Sequence, residues 1–178
     1  MVRLEGGACV LGALALLILP LNWLIAMIAA AAFHEACHAL TVRACGGKIW
    51  SLCLGVGGAE LVTSPLERRQ ELLCALAGPL GSLALVGCLS VFPRLAVCGL
   101  MQGLFNLLPL FPLDGGRILR CLTPGWSDIV ERGCGIFLLC LAIFGAVWWK
   151  LGLLPVILAV SLLLKRKNPC KSSRFGVQ

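Results

Sequence analysis

Residues 29–40 read AAAAFHEACHAL, a His-Glu-x-x-His cluster inside a run that otherwise has the composition of a membrane-spanning helix. On a helix, His34 and His38 stand one turn apart on the same face, and Glu35 stands about 100° around from His34. Two imidazoles at that spacing can reach one metal ion, with the carboxylate beside the ion's open position, ready to take a proton from water. An ionisable side chain near the bilayer centre costs about 2.5–3.5 kcal/mol on insertion scales, so His34, Glu35 and His38 together imply a use. The chain has only two histidines, and both are in this cluster.

Of the 178 residues, 60% are hydrophobic and 13% charged, outside the range of soluble domains. We read an all-α, multi-pass membrane protein with a single intramembrane domain over residues 1–164. Six spans are expected, at 4–20, 22–43, 71–92, 95–113, 133–149 and 151–164, followed by a basic tail over 165–178. The first and last are short against the roughly 20 helical residues that cross a hydrocarbon core, so the basic residues decide the count. With six spans and the N-terminus inside, thirteen of the fifteen lysines and arginines fall on the inner side and only Arg94 and Lys150 outside. That asymmetry follows the positive-inside rule and nearly vanishes if the last two segments are merged. Both termini are therefore expected to be cytoplasmic, in the cell membrane.

The net charge of +7 invites a nucleic-acid reading, but no basic stripe interleaved with aromatics accompanies it. Membrane topology accounts for the charge, and the lipid bilayer is the expected partner instead. The opening MVRLEGGACVLGALALLILP resembles a signal peptide, yet no small-residue cleavage site precedes the next apolar run, so it is read as a span. The eleven cysteines are scattered singly without a Cys-x-x-Cys pair, as expected of small buried hydrophobes in a reducing setting. Cys37 points away from the face that His34 and His38 share and is not read as a ligand. The glycine-rich stretch GGKIWSLCLGVGGAELVTS (46–64) suggests two short strands and a turn, a membrane-associated hairpin or re-entrant segment between the second and third spans.

Two histidines and a water leave zinc one protein ligand short. Of the eight acidic residues, only Asp114 lies at the end of a hydrophobic span. His38 precedes the basic edge marked by Arg43 by five residues, and Asp114 precedes Arg117 by three, so both lie roughly 5–8 Å from that edge at 1.5 Å per residue. Around Asp114, FNLLPLFPLDGGRILR breaks the helix, and broken backbone at membrane depth is tolerated where it lines a polar cavity. Asn106 there can offer an amide to an extended substrate or simply pack between helices.

HEACH at 34–38, AGPLGS at 77–82 and NLLPLFPLDGG at 106–116 together resemble the site-2 protease family of intramembrane zinc metalloproteases. The resemblance implies one zinc ion held by His34, His38 and Asp114, with Glu35 activating water and Asn106 holding substrate. It also implies that the segment around Gly57, Gly58 and Glu60 lies near the active site, where an unwound substrate can pair with a strand edge. The six-span layout is most similar to the sporulation-type branch, whose members often carry a CBS domain. No CBS-sized or PDZ-sized segment is present here, so regulation through such modules is not expected.

The expected function is hydrolysis of a peptide bond in or near the transmembrane segment of a membrane-bound protein substrate, with a pro-sigma or anti-sigma factor as a candidate. The alternatives are a catalytically silent zinc-binding or adaptor protein, which has little need of Glu35, and a transporter, which lacks the expected inverted repeats.

Overall fold

The computed structural model describes residues 2–4, 16, 19–55, 58–148, 156, 159 and 160. Most of the expected first span (4–20), nearly all of the last (151–164), the tail over 165–178 and Gly57 lie outside the described residues.

Helix α1 runs from Leu21 to Ala44 and contains the opening cluster. Its alanine- and leucine-rich sequence favours helix, and its 24 residues reach about 36 Å, enough to cross a bilayer core. Pro20 precedes it in an extended conformation and its carbonyl accepts the Trp23 and Leu24 amides. At the other end Gly46 adopts a left-handed φ of 78°, which stops the helix and turns the chain into the sheet.

The sheet has three strands in the order β1 (Val2–Leu4), β2 (Ile49–Gly55) and β3 (Gly58–Thr63). Strands β2 and β3 form the antiparallel hairpin expected from the glycine-rich stretch, with an irregularity between Ile49 and Ser51. Strand β1 adds in parallel to β2 through Val2, Arg3 and Leu4, so the protein is mostly helical rather than all-α. A three-residue strand that pairs with a segment some fifty residues away leaves no periodic trace in the sequence.

Helix α2 (Arg68–Ala84) opens with a capping box between Glu67 and Gln70 and continues as a 3₁₀ turn over Leu85–Cys88. Helix α3 (Pro93–Asn106) is followed by a loop over 107–113 and a short helix α4 (Asp114–Leu122). The span expected over 95–113 therefore stops as a helix at Asn106, because the prolines at 109 and 112 cannot continue the ladder. Helix α5 (Ser127–Trp148) closes the described part. Among the described residues, three helical segments are long and apolar enough to cross a membrane: Leu21–Ala44, Arg68–Cys88 and Ser127–Ala146.

Helix α2 packs against α1, α3 and α4. Its Arg68 reaches the carbonyls at the end of α4, with Nε donating to Cys121 O at 2.6 Å and Nη2 to Leu122 O at 3.3 Å. The 107–113 loop is anchored by buried Leu110 and Leu113, which pack with Leu108 and with Cys134 and Leu138 of α5. Of the cysteines described, all are free thiols; Cys74 and Cys121 are buried, most others are half-buried, and Cys140 is exposed. The burial expected of them thus holds in full for only two.

Candidate metal centre

Helix α1 brings His34 and His38 to one face, and both are buried against α2. Asp114, the first residue of α4, comes to the same point from 76 residues further along the chain. Its approach depends on the two glycines that follow it. A Cβ on Gly115 would collide with the carbonyls of Leu107 and Leu108, and one on Gly116 with the backbone of Leu110 and Phe111. Only residues without side chains let α4 start this close to the preceding loop.

The Nε2 atoms of His34 and His38 and Asp114 Oδ2 form a triangle with all three sides 3.1 Å. Their outer contacts decide what that triangle is. His38 Nδ1 lies 2.6 Å from the Cys74 carbonyl oxygen, which can only accept, so Nδ1 carries the proton and Nε2 of the neutral ring presents a lone pair. His34 Nδ1 lies 2.8 Å from Ser82 Oγ, a partner that can accept its proton and leave Nε2 equally free. Two lone pairs and a carboxylate oxygen then converge on one point, an arrangement that repels itself without a cation at its centre. Metal bonds of about 2.0–2.1 Å in tetrahedral geometry set ligand atoms roughly 3.3 Å apart, close to the observed sides. These three residues are the group among the described residues able to hold a metal ion, and all three are buried.

Glu35 is half-buried beside this triangle, within electrostatic range of His34, His38, Asp114 and Arg117. No fully buried side-chain polar atom among the described residues lacks a hydrogen-bond partner, so the Glu35 carboxylate oxygens, which no described residue bonds, are not completely enclosed. The second oxygen of Asp114, Oδ1, faces Arg117 Nη1 at 4.0 Å, and Arg117 Nε faces Glu71 Oε1 at 4.0 Å.

His34, His38 and Asp114 are thus brought together, with Glu35 alongside. Cys37 is not among them; its Sγ lies against Gly81. Asn106 ends α3 and donates its Nδ2 to the Gln102 carbonyl at 3.1 Å. Gly58 opens β3, paired with Gly55. Sequence reasoning missed Ser82, the Cys74 carbonyl and the Glu71–Arg117 pair. The AGPLGS segment held one signal: Gly78 lies under the His38 ring, where any Cβ would strike it, and Ser82 is fully buried.

A family model described as Peptidase family M50 matches residues 69–142, which include Asp114 and its flanking prolines and glycines. The chain belongs to peptidase family M50, the site-2 protease family. Among the relatives of this M50 chain is a zinc metalloprotease of Methanocaldococcus jannaschii, 34% identical over 104 residues that make up 50% of this chain and 30% of that protein. Another is Rip3 of Mycobacterium tuberculosis, 34% identical over 122 residues, 57% of this chain and 31% of that one. The M50 chain spans about a third of the length of the curated relatives it matches. Its fold is similar to that of the site-2 protease from Methanocaldococcus jannaschii, with a TM-score of 0.73 at 22% identity, covering 99% of this chain and 93% of the other.

Proposed function

We propose that this M50 chain is an intramembrane zinc metalloendopeptidase that hydrolyses a peptide bond in or near the transmembrane segment of a membrane-bound protein. The observation that carries the reading is the 3.1 Å triangle of His34, His38 and Asp114 with the Glu35 carboxylate beside it. Relatives named as zinc metalloproteases support zinc as the metal.

His34 and His38 offer Nε2 and Asp114 offers Oδ2 to the ion. Zinc bound there supplies Lewis acidity, polarising a carbonyl and bringing the pKa of water toward ~7. Glu35 takes the proton of the attacking water on its carboxylate and returns it to the leaving amide nitrogen. Its carboxylate, which no described residue hydrogen-bonds, is free to take up and return that proton. The buried histidines and Asp114 stay fixed while this proton moves.

The inner excess of basic residues supports both termini on the cytoplasmic side and the metal in the cytoplasmic half of the bilayer. Strand β3 is the last in its sheet, so among the described residues one of its edges is unpaired and can take an unwound substrate segment as a further strand. Gly58 keeps that edge approachable, and Asn106 offers the amide oxygen that its bond to Gln102 leaves free. A pro-sigma or anti-sigma factor is a suitable substrate class. The test is co-expression of the chain and its Glu35→Gln form with candidate membrane substrates. A fragment produced by the wild type and lost or greatly reduced in the Glu35→Gln form supports the reading, and cleavage by the Glu35→Gln form at the wild-type level refutes it.

A further inference from the structure

Helix α2 contributes no atom to the metal triangle, yet it supplies the outer contacts of both histidines and reaches the third ligand through Arg117. Glu71, Cys74, Gly78 and Ser82 follow one another at intervals of three and four residues, which puts them on one helical face. Along that face, the Cys74 carbonyl accepts from His38, Gly78 makes room for the His38 ring, and Ser82 meets His34. Glu71 reaches Asp114 indirectly, through Arg117, whose guanidinium lies 4.0 Å from Glu71 Oε1 and 4.0 Å from the Asp114 oxygen turned away from the histidines. Pro79 interrupts the helix ladder within this stretch, and its missing N–H leaves the Ala75 carbonyl without a helix donor.

The two histidines are held differently. A backbone carbonyl fixes the His38 tautomer whatever the side chain at 74, but His34 depends on a single hydroxyl. Ser82 and His34 are 0% and 2% exposed, so this contact is shielded from bulk solvent and Ser82 is the partner of His34 Nδ1. Without an acceptor at Nδ1, the ring can move its proton to Nε2 and pair with Asp114 Oδ2, 3.1 Å away, which removes two of the three ligand atoms at once.

We propose that Ser82 and Arg117 are positioning residues of the metal centre. Ser82 holds His34 in the tautomer that presents Nε2, and Arg117, 4.0 Å from both Asp114 Oδ1 and Glu71 Oε1, places its positive charge beside the Asp114 oxygen turned away from the histidines and so favours Oδ2 as the ligand atom. This rests on the metal-centre reading above. Contacts of this kind, when removed, weaken metal affinity about 10–100-fold.

The experiment uses the full chain purified in detergent, titrated with Zn²⁺ against a chelator of known affinity and, separately, with Co²⁺ followed by its d–d absorption. Ser82→Ala is expected to weaken Zn²⁺ binding about 10–100-fold and to alter the Co²⁺ bands, with the Tm of the metal-free protein unchanged. Ser82→Thr, which keeps the hydroxyl, is expected to recover affinity. Arg117→Met, at a partly exposed position that tolerates change, is expected to weaken binding about 10-fold and carries the test if Ser82→Ala does not fold. Wild-type affinity and bands in Ser82→Ala or in Arg117→Met overturn the proposal, as does a loss matched by an equal loss of metal-free stability. Failure of the wild type to bind Zn²⁺ at all overturns the metal-centre reading beneath it.

Discussion

The Cys74 carbonyl oxygen stands 2.6 Å from Nδ1 of His38, and Gly78, one turn further along α2, lies directly under the same imidazole. The ring is therefore gripped by backbone on two sides, which no side chain of α2 could do without occupying the space of the ring. Gly78→Ala should displace His38, since the new Cβ falls inside its ring atoms. The expected result is an overpacking cost of about 1–3 kcal/mol together with loss of bound zinc. Thermal denaturation and metal analysis of the purified variant check both parts; a fully metallated Gly78→Ala protein would contradict the packing described.

Asp114→Ala removes one corner of the triangle. The loss of zinc affinity should exceed the roughly 10–100-fold expected from loss of an outer contact such as Ser82. Side-by-side chelator competition on the two variants measures the order. Wild-type zinc affinity in Asp114→Ala would mean that Asp114 is not a ligand.

Glu35→Gln should separate binding from chemistry. The glutamine keeps size and polarity but cannot accept the proton, so zinc stoichiometry should stay at the wild-type value while cleavage slows by about 10²–10⁴-fold. Metal analysis and a cleavage assay on the same preparation are sufficient. Loss of zinc together with activity would instead make Glu35 part of the binding site.

Much of this was legible before any coordinates. The segments 22–43, 71–92 and 133–149 are long apolar runs, and helices occupy most of each because nothing in them competes with the helix. That His34, His38 and Asp114 come together is legible because buried charge is scarce in such a chain and chemistry restricts the choices. The early end of α3 at Asn106 was only half legible: two prolines announce a break, but not whether the helix stops before or between them. Ser82 and the Cys74 carbonyl were hidden for different reasons. A serine on an apolar helix reads as a packing residue, and a backbone carbonyl has no letter of its own.

Arg120 ties helix α4, which begins at Asp114, to α5. Its Nε and Nη2 donate to the two carboxylate oxygens of Glu131 at 2.7 and 3.0 Å, and its guanidinium also lies 4.2 Å from the centroid of Phe111 in the loop that leads to Asp114. Glu131 is 0% exposed, so its charge relies on partners inside the protein. Arg120→Met should destabilise the protein by about 1–3 kcal/mol, because it takes a hydrogen-bonding partner from the fully buried Glu131 carboxylate, although the Arg120 side chain itself is 40% exposed. Replacing both, as Arg120→Met with Glu131→Leu, should recover much of that loss, since an apolar pair of similar volume avoids the desolvation cost. Denaturation midpoints of the single and double variants measure the difference, and zinc affinity of the double variant adds a second readout. If the ion pair serves only to hold α4 against α5, the double variant regains affinity along with stability. Recovery of stability without affinity would mean that the Arg120–Phe111 contact itself positions the loop before Asp114.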